Sequence, residues 1–262
     1  MLRIASFNVN SVRSRLHILD RWLRASLTQP DLLFMQETKA ANNLFPAAFF
    51  NDLGYEIYFN GEKAYNGVAL AAKKNLASDI NNIKFGFNDN ISPDFPTRVM
   101  TLEFQDIFII HTYVPQGKLI THPDYIVKQE FLKRVENIVK AKIAEKFIWL
   151  GDLNVAPTEL DVSHPETKLR SVCFAPKIRE CFDEASNGLI DLFRKFNPGQ
   201  EIYSFFDYRV KDAMKNNTGW RVDNILVSPK LAEFAVNSFI DQEPRKWDKP
   251  SDHTPLIAEF NI

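Results

Sequence analysis

The sequence predicts one α/β domain, with sheets packed against each other and helices outside. Short apolar strands alternate with stretches of helical periodicity, and strands outnumber long helices. No linker, low-complexity run or short repeat divides the 262 residues, so residues 1–262 read as a single unit. Leu2–Phe7 is a continuous apolar run of the kind a fully buried strand carries. Val12–Ala25 sets Leu16, Leu19, Trp22 and Leu23 at helical spacing. Asp31–Gln36 and Gly67–Ala72 are further strands, and Arg98–Phe104 with Ile107–Val114 forms a hairpin. Pro123 suits the first turn of a helix, where its missing N–H costs nothing; that helix runs to about Lys146. Phe147–Gly151 is a short apolar strand and Ala175–Ser186 a helix. Val222–Ser228, Phe234–Phe239 and Leu256–Phe260 are the closing strands. Pro115, Pro157, Pro229 and Pro255 punctuate strand ends.

Composition excludes several classes. Apolar residues make up 45% and charged residues 25%, ordinary values for a globular chain that buries a large core. No run of 18 or more apolar residues is present, so no membrane span is expected. Met1 leads directly into the first strand without a basic segment and small-residue cleavage site, which speaks against a secretory leader. Cys173 and Cys181 fit neither a disulfide framework nor a zinc spacing, and a reducing, cytoplasmic compartment is expected. Nine glycines build no phosphate-binding Walker loop or dinucleotide fingerprint, and no G-x-S-x-G elbow or paired-histidine zinc motif occurs. The net charge of −1 makes no case for nucleic acid by itself. Only the face that meets phosphates must be positive.

The informative residues follow the strands. One strand ends in Asn8-Val9-Asn10, another in Gln36-Glu37-Thr38-Lys39, another in His111-Thr112-Tyr113, another in Gly151-Asp152-Leu153-Asn154. Asp223 stands near the start of a strand, and Ser251-Asp252-His253 precedes the last one. Strand ends gathered at one sheet edge form a cleft of the kind ligands prefer. Glu37, Asp152, Asp252 and the amides of Asn8, Asn10 and Asn154 are hard oxygen donors, which select magnesium, calcium or manganese over zinc. A cation held there polarises a phosphoryl oxygen and steadies a leaving alkoxide, chemistry suited to phosphate esters. Singly, Asn8 or Asn154 is more often a turn former, and His17 and His111 are more often surface or packing residues. Asp223 and His253 read equally as an oriented general base or phosphate-binding imidazolium, or as a surface acid and a cap. The stretch Tyr203–Trp220 interleaves aromatics with Arg209, Lys211 and Lys215; this suits base stacking and phosphates, and equally a polar loop with buried rings. Arg13, Arg15 and Arg98 are candidate phosphate contacts.

These segments resemble the exonuclease III family of abasic-site endonucleases, and its bacterial exodeoxyribonuclease III type in particular. SFNVNSVRSR (Ser6–Arg15), QETK (Gln36–Lys39), YNGVAL (Tyr65–Leu70), YVPQG (Tyr113–Gly117) and GDLNVAP (Gly151–Pro157) follow in the family's order. SFFDYR (Ser204–Arg209), WRVDNILVS (Trp220–Ser228) and KPSDHTP (Lys249–Pro255) complete it, so that the resemblance spans essentially the whole chain. It implies a four-layer αββα sandwich, two mixed β-sheets face to face with helices outside. It also implies magnesium-dependent action on duplex DNA, with manganese as a substitute: cleavage 5′ to abasic sites, 3′→5′ exonuclease digestion and removal of 3′ blocking phosphates. A monomer is the expectation.

By the same resemblance Glu37 is the main magnesium ligand, with Asn10, Asp152, Asn154, Asp252 and His253 at or near the metal. Tyr113 contacts the scissile phosphate, Asp152 orients or deprotonates the attacking water, and Asn154 positions water or phosphate. Asp223 orients His253 against the phosphate. Asn8, Arg13, Lys39, Arg98, Arg209 and Val222 join Phe205 and Trp220 in holding DNA, the last two with Val222 around an extruded sugar. Two positions depart from the pattern of close relatives. Phe205 stands where a tryptophan is frequent, and Asn10 where some members carry an acid. The other readings are a phosphatase or phosphodiesterase of the same fold with a non-DNA ester, and a DNA-binding protein with a dead site.

Overall fold

The structure is a computed structural model and describes residues 1–25 and 29–262. It holds two six-stranded mixed sheets. In chain order the strands are β1 (Leu2–Asn8), β2 (Leu32–Gln36), β3 (Tyr55–Glu62), β4 (Tyr65–Lys73), β5 (Ile80–Phe85), β6 (Val99–Phe104), β7 (Ile107–Tyr113), β8 (Lys146–Asp152), β9 (Ile190–Asp191), β10 (Asp223–Val227), β11 (Ala235–Ile240) and β12 (Leu256–Phe260). The helices are α1 (Leu16–Leu23), α2 (Ala47–Asp52), α3 (Pro123–Lys142), α4 (Pro176–Ala185), α5 (Leu192–Phe196) and α6 (Pro229–Ala232). One sheet runs β11-β12-β1-β2-β4-β3, the other β5-β6-β7-β8-β10-β9. Pairing is parallel between β1 and β2 and between β7 and β8, and antiparallel elsewhere.

The two-residue period of the strands makes the layers. In β1, Leu2 and Ile4 enter the space between the sheets, while Ala5 and Phe7 face outward. In β8, Ile148 and Leu150 face inward, and Phe147 and Trp149 outward. The inner cluster joins residues of both sheets, among them Phe34, Leu70, Leu102, Ile109, Ile225 and Leu256. Outside the first sheet, Ile18, Leu19 and Trp22 of α1 and Phe50 of α2 cover Phe7, Leu33 and Met35. Outside the second, Phe131 and Val135 of α3 with Ile178 and Phe182 of α4 cover Ile110 and Trp149. Four layers result, as the resemblance implied. Both faces of the central strands are buried, which is why β1 and β8 are apolar throughout rather than alternating.

Element boundaries mostly match the sequence reading. The helix opened by Pro123 stops at Lys142 instead of about Lys146, because Lys146 is already paired with Ile107 in the sheet. The edge strands β3 and β5 were not foreseen. Their exposed polar residues, Glu56 in β3 and Asn81 and Asn82 in β5, dilute the apolar signal.

Candidate active site

Sheet register gathers the polar strand ends at one rim. Tyr113 of β7 pairs with Asp152 of β8, and Asp152 pairs with Asp223 of β10, so three of the candidate side chains stand in one row across three strands. In the facing sheet, Asn8 of β1 pairs with Gln36 of β2, which puts Glu37 one residue beyond the same rim. Asp252 and His253 arrive from the segment before β12, where Phe205 bridges to both His253 and Trp220. Chain reversals are tight here. Asn10, Glu37, Lys39, Asn66 and Asn154 all adopt positive φ, a costly conformation that tends to cluster where a site over-determines it.

Asn8 links the two sheets. Its buried amide donates to Glu37 Oε1 at 2.9 Å and to Asp152 Oδ2 at 2.8 Å. Asp152 Oδ1 accepts the backbone N–H of Asn154 at 3.0 Å. Burial, together with the charges of Asp223 and Glu37, pushes the Asp152 carboxyl well above its ordinary range; the Asn8 bond and the charge of His253 pull the other way. His253 Nδ1 lies 2.9 Å from Asp223 Oδ2, and its Nε2 lies 3.8 Å from Asp152 Oδ2. Burial alone would strip its proton, but Asp223 and Asp152 outweigh that and raise the imidazolium to about 10. Asp223 is steadied in turn by Ser204 Oγ, which donates to Oδ2 at 2.6 Å.

Glu37 shows how the site treats a cation. Its Oε2 lies 2.8 Å from Lys39 Nζ, and the same ammonium donates to Asn10 Oδ1. Burial works against the carboxylate, yet the Asn8 amide and Lys39 ammonium hold Glu37 below the usual carboxylate range. An acid and an amide oxygen thus already converge on one positive charge, and these hard donors fit a magnesium-like ion. Ligand atoms of Glu37, Asp152 and His253 lie within 4.8 Å of one another. His253 can join a metal only by giving up the proton that Asp223 stabilises, so the oxygen donors are the better metal set. Asn10 turns its amide nitrogen to Asp252 Oδ1 at 2.9 Å.

The surrounding cleft has a volume of about 990 Å³. Glu37, Lys39, Arg98, Tyr113, Asp152, Asn154, Phe205, Arg209, Trp220, Val222, Asp252 and His253 line it. The guanidinium of Arg98 stacks over the Tyr113 ring at 4.4 Å. The Tyr113 hydroxyl is held in its protonated form by burial and by the charges of Glu37 and Asp152. The ring of Phe205 lies 4.9 Å from that of His253. Asn8, Asn10 and Asp223 sit behind the wall as supports. Arg13 is exposed on the turn after β1, outside the lining. Asn154 Nδ2 donates to the Val114 carbonyl at 3.0 Å, which fixes the amide's orientation.

Several residues here escaped the sequence reading. Asn66, Gln116 and Lys118 line the cleft, and the first two lay in motifs already singled out, without a role. Ser204 also stood in a recognised motif. Lys128 gave no signal, because a lysine in a helix reads as surface, yet its side chain is wholly buried. Conversely, His111 is a packing residue, as its isolation suggested. It stacks edge-on to Phe34 between the sheets, and burial drives its pKa down to about 3.

Fold and site together define a phosphate-ester hydrolase of the two-sheet sandwich type, with an acidic cation site beside a carboxylate-held imidazolium. Residues 5–253 match the endonuclease/exonuclease/phosphatase family, and the chain belongs to that family. It is 33% identical to exodeoxyribonuclease III of Haemophilus influenzae, over 99% of this chain and 100% of the relative. An AP endonuclease from Archaeoglobus fulgidus superposes with a TM-score of 0.94 at 41% identity, covering 100% of both chains. The 3′ phosphatase NExo from Neisseria, solved with a product DNA hairpin, gives a TM-score of 0.91 at 30% identity, also over 100% of both chains.

Proposed function

We propose that the protein is a magnesium-dependent DNA repair nuclease that hydrolyses phosphodiesters in duplex DNA 5′ to abasic sites. It also degrades 3′ ends and removes 3′ blocking phosphates. The observation that carries this reading is that Tyr113 and Asp152 share one cleft with Glu37 and His253, the last held from behind by Asp223. It is supported by the names borne by the chain's relatives: exodeoxyribonuclease, AP endonuclease and 3′ phosphatase.

Each group has a chemical task. Glu37, with Asn10, Asp152 or Asp252, would hold magnesium, which supplies Lewis-acid stabilisation of phosphate charge when bound. Asp152, buried and proton-seeking, takes a proton from the attacking water as general base. His253 stays protonated on Asp223 and offers Nε2–H to a phosphoryl oxygen, as does the Tyr113 hydroxyl. Asn154 positions water or phosphate beside Asp152. Phe205, Trp220 and Val222 form an apolar wall suited to an extruded sugar that lacks its base. Lys39, Arg98 and Arg209 meet the backbone phosphates.

The test is a labelled duplex carrying one stable abasic-site analogue, incubated with magnesium or with chelator. A single magnesium-dependent cut just 5′ to the lesion is expected, with ladders from undamaged 3′ ends beside it. No cut with magnesium or manganese, together with turnover of a non-DNA phosphate ester, would overturn the substrate and leave the fold.

A further inference from the structure

Lys128 lies on α3, outside every segment that carries the family resemblance, and none of the steps above uses it. Its side chain is wholly shut off from solvent. An ammonium has three donors, and each finds a backbone carbonyl. They reach Gln116 O at 3.1 Å, Asn154 O at 2.6 Å and Val172 O at 2.7 Å. Lys128 pairs with no carboxylate among the described residues. The three carbonyls come from three separate loops: the one after Tyr113, the one after Asp152, and the one before α4. Gln116, Asn154 and Val172 all line the active cleft.

Burying an unpaired charge is costly, and a helix could fill this space with leucine or methionine more cheaply. What the ammonium provides is geometry. Asn154 has φ of +50°, so its peptide plane lies outside the common basins and needs an external anchor. Its carbonyl is fixed by Lys128, its N–H by Asp152 and its side-chain amide by Val114. Gly117, beside Gln116, has φ of +98°, and a Cβ there would stand 3.4 Å from Lys128 Cδ. The lysine stem therefore also fills the turn that follows Tyr113.

We propose that Lys128 is a positioning residue, a buried three-way clamp that sets Asn154 and the loop of Gln116 at the reacting phosphate. The proposal rests on the nuclease reading for its kinetic consequence, but not for its structural one. Lys128→Met keeps the length of the stem and removes every donor. Hydrogen exchange of Lys128→Met should rise in the loops around residues 114–119, 152–156 and 171–174, with the sheets unchanged. On the abasic duplex, kcat should fall about 100-fold, the scale of a misplaced catalytic group, with KM little altered. In an Asn154→Ala background the same substitution should cost less than about threefold, since its effect passes through Asn154.

Unchanged exchange in those loops overturns the clamp, whether or not the protein proves to be a nuclease. Raised exchange with unchanged kcat overturns its role in catalysis, as does full additivity with Asn154→Ala. If Lys128→Met fails to fold, Lys128→Arg decides. It keeps the charge, but its planar fork cannot match three converging carbonyls. A fall in kcat of about fivefold or more at constant KM is expected for it, and wild-type kcat overturns the proposal. Wild-type protein run beside the variants separates the two readings, because its failure to cut touches only the proposed function.

Discussion

Asp152 carries the sharpest tension at the scale of single residues. Its carboxyl is raised to about 7, by burial first, so ionising it costs more in the folded protein than in the unfolded chain. That cost is absent below the ordinary value of 3.8 and complete above about 7. Asp152→Asn should therefore raise stability by about 1–2 kcal/mol at pH 8, read by chemical denaturation, while lowering kcat about 1000-fold or more and leaving DNA binding intact. Equal loss of binding would make the residue structural. His253 runs the opposite way. Its folded pKa of about 10 exceeds the ordinary 6.5, so its stabilising pairing with Asp223 is full below pH 6.5 and is lost as pH rises through 10. Asp223→Asn should cost about 3–5 kcal/mol near pH 6, and the gap to wild type should narrow towards pH 10. A gap independent of pH would place the charge elsewhere. Glu37→Ala removes the acid on which Lys39 already converges, so the magnesium concentration for half-maximal rate should rise about tenfold or more. Unaltered magnesium dependence would move the metal to another donor set.

Strands and turns convert these side chains into a site. Gly151 has φ of +140°, and a Cβ there would stand 1.9 Å from the Thr112 carbonyl of the neighbouring parallel strand. Gly151→Ala should destabilise the protein by about 3 kcal/mol or more and lower activity as well, because the residue directly precedes Asp152. Stability within about 0.5 kcal/mol of wild type, in urea unfolding, would disprove that close packing. The position was legible in the sequence only as part of a recognisable segment, and its reason lies in register. The same division holds across the fold. Central strands such as β1 and β8 were readable because both faces are buried, and Pro123 marked the start of α3. The edge strands β3 and β5 were not, because their exposed residues interrupt the apolar pattern. Glu37 and Asp152 announced the chemistry by standing at the ends of apolar strands, and His253 by standing just before one. Their supports did not: Ser204 holds Asp223 and Lys128 holds the Asn154 loop through hydrogen bonds that no spacing encodes.

For the whole molecule, net charge and local charge part company. The total is −1, yet Lys39, Arg98, Lys118 and Arg209 stand around one cleft. Three are tied to acids of their own, Lys39 to Glu37, Lys118 to Asp124 and Arg209 to Asp207. Arg98 is laid on Tyr113. Internal pairing of this kind keeps the protein nearly neutral at a distance and lets a phosphate backbone compete for the cations at contact. Each cation that exchanges its acid for a phosphate releases one counterion from DNA, and each contributes a slope of about −0.9 to log K against log salt. A slope of about −3 to −4 is expected for an uncleaved abasic duplex in chelator. Arg209 is the cleanest probe, since its side chain is 89% exposed and touches no catalytic group. Arg209→Ala should reduce the slope by about one and weaken binding alike for abasic and intact duplex, with kcat at saturating DNA unchanged. Asp207→Asn frees the same guanidinium and should tighten binding at low salt. If neither variant moves the slope, DNA runs along another face, and the aromatic wall of Phe205 and Trp220 must take its substrate from a different approach.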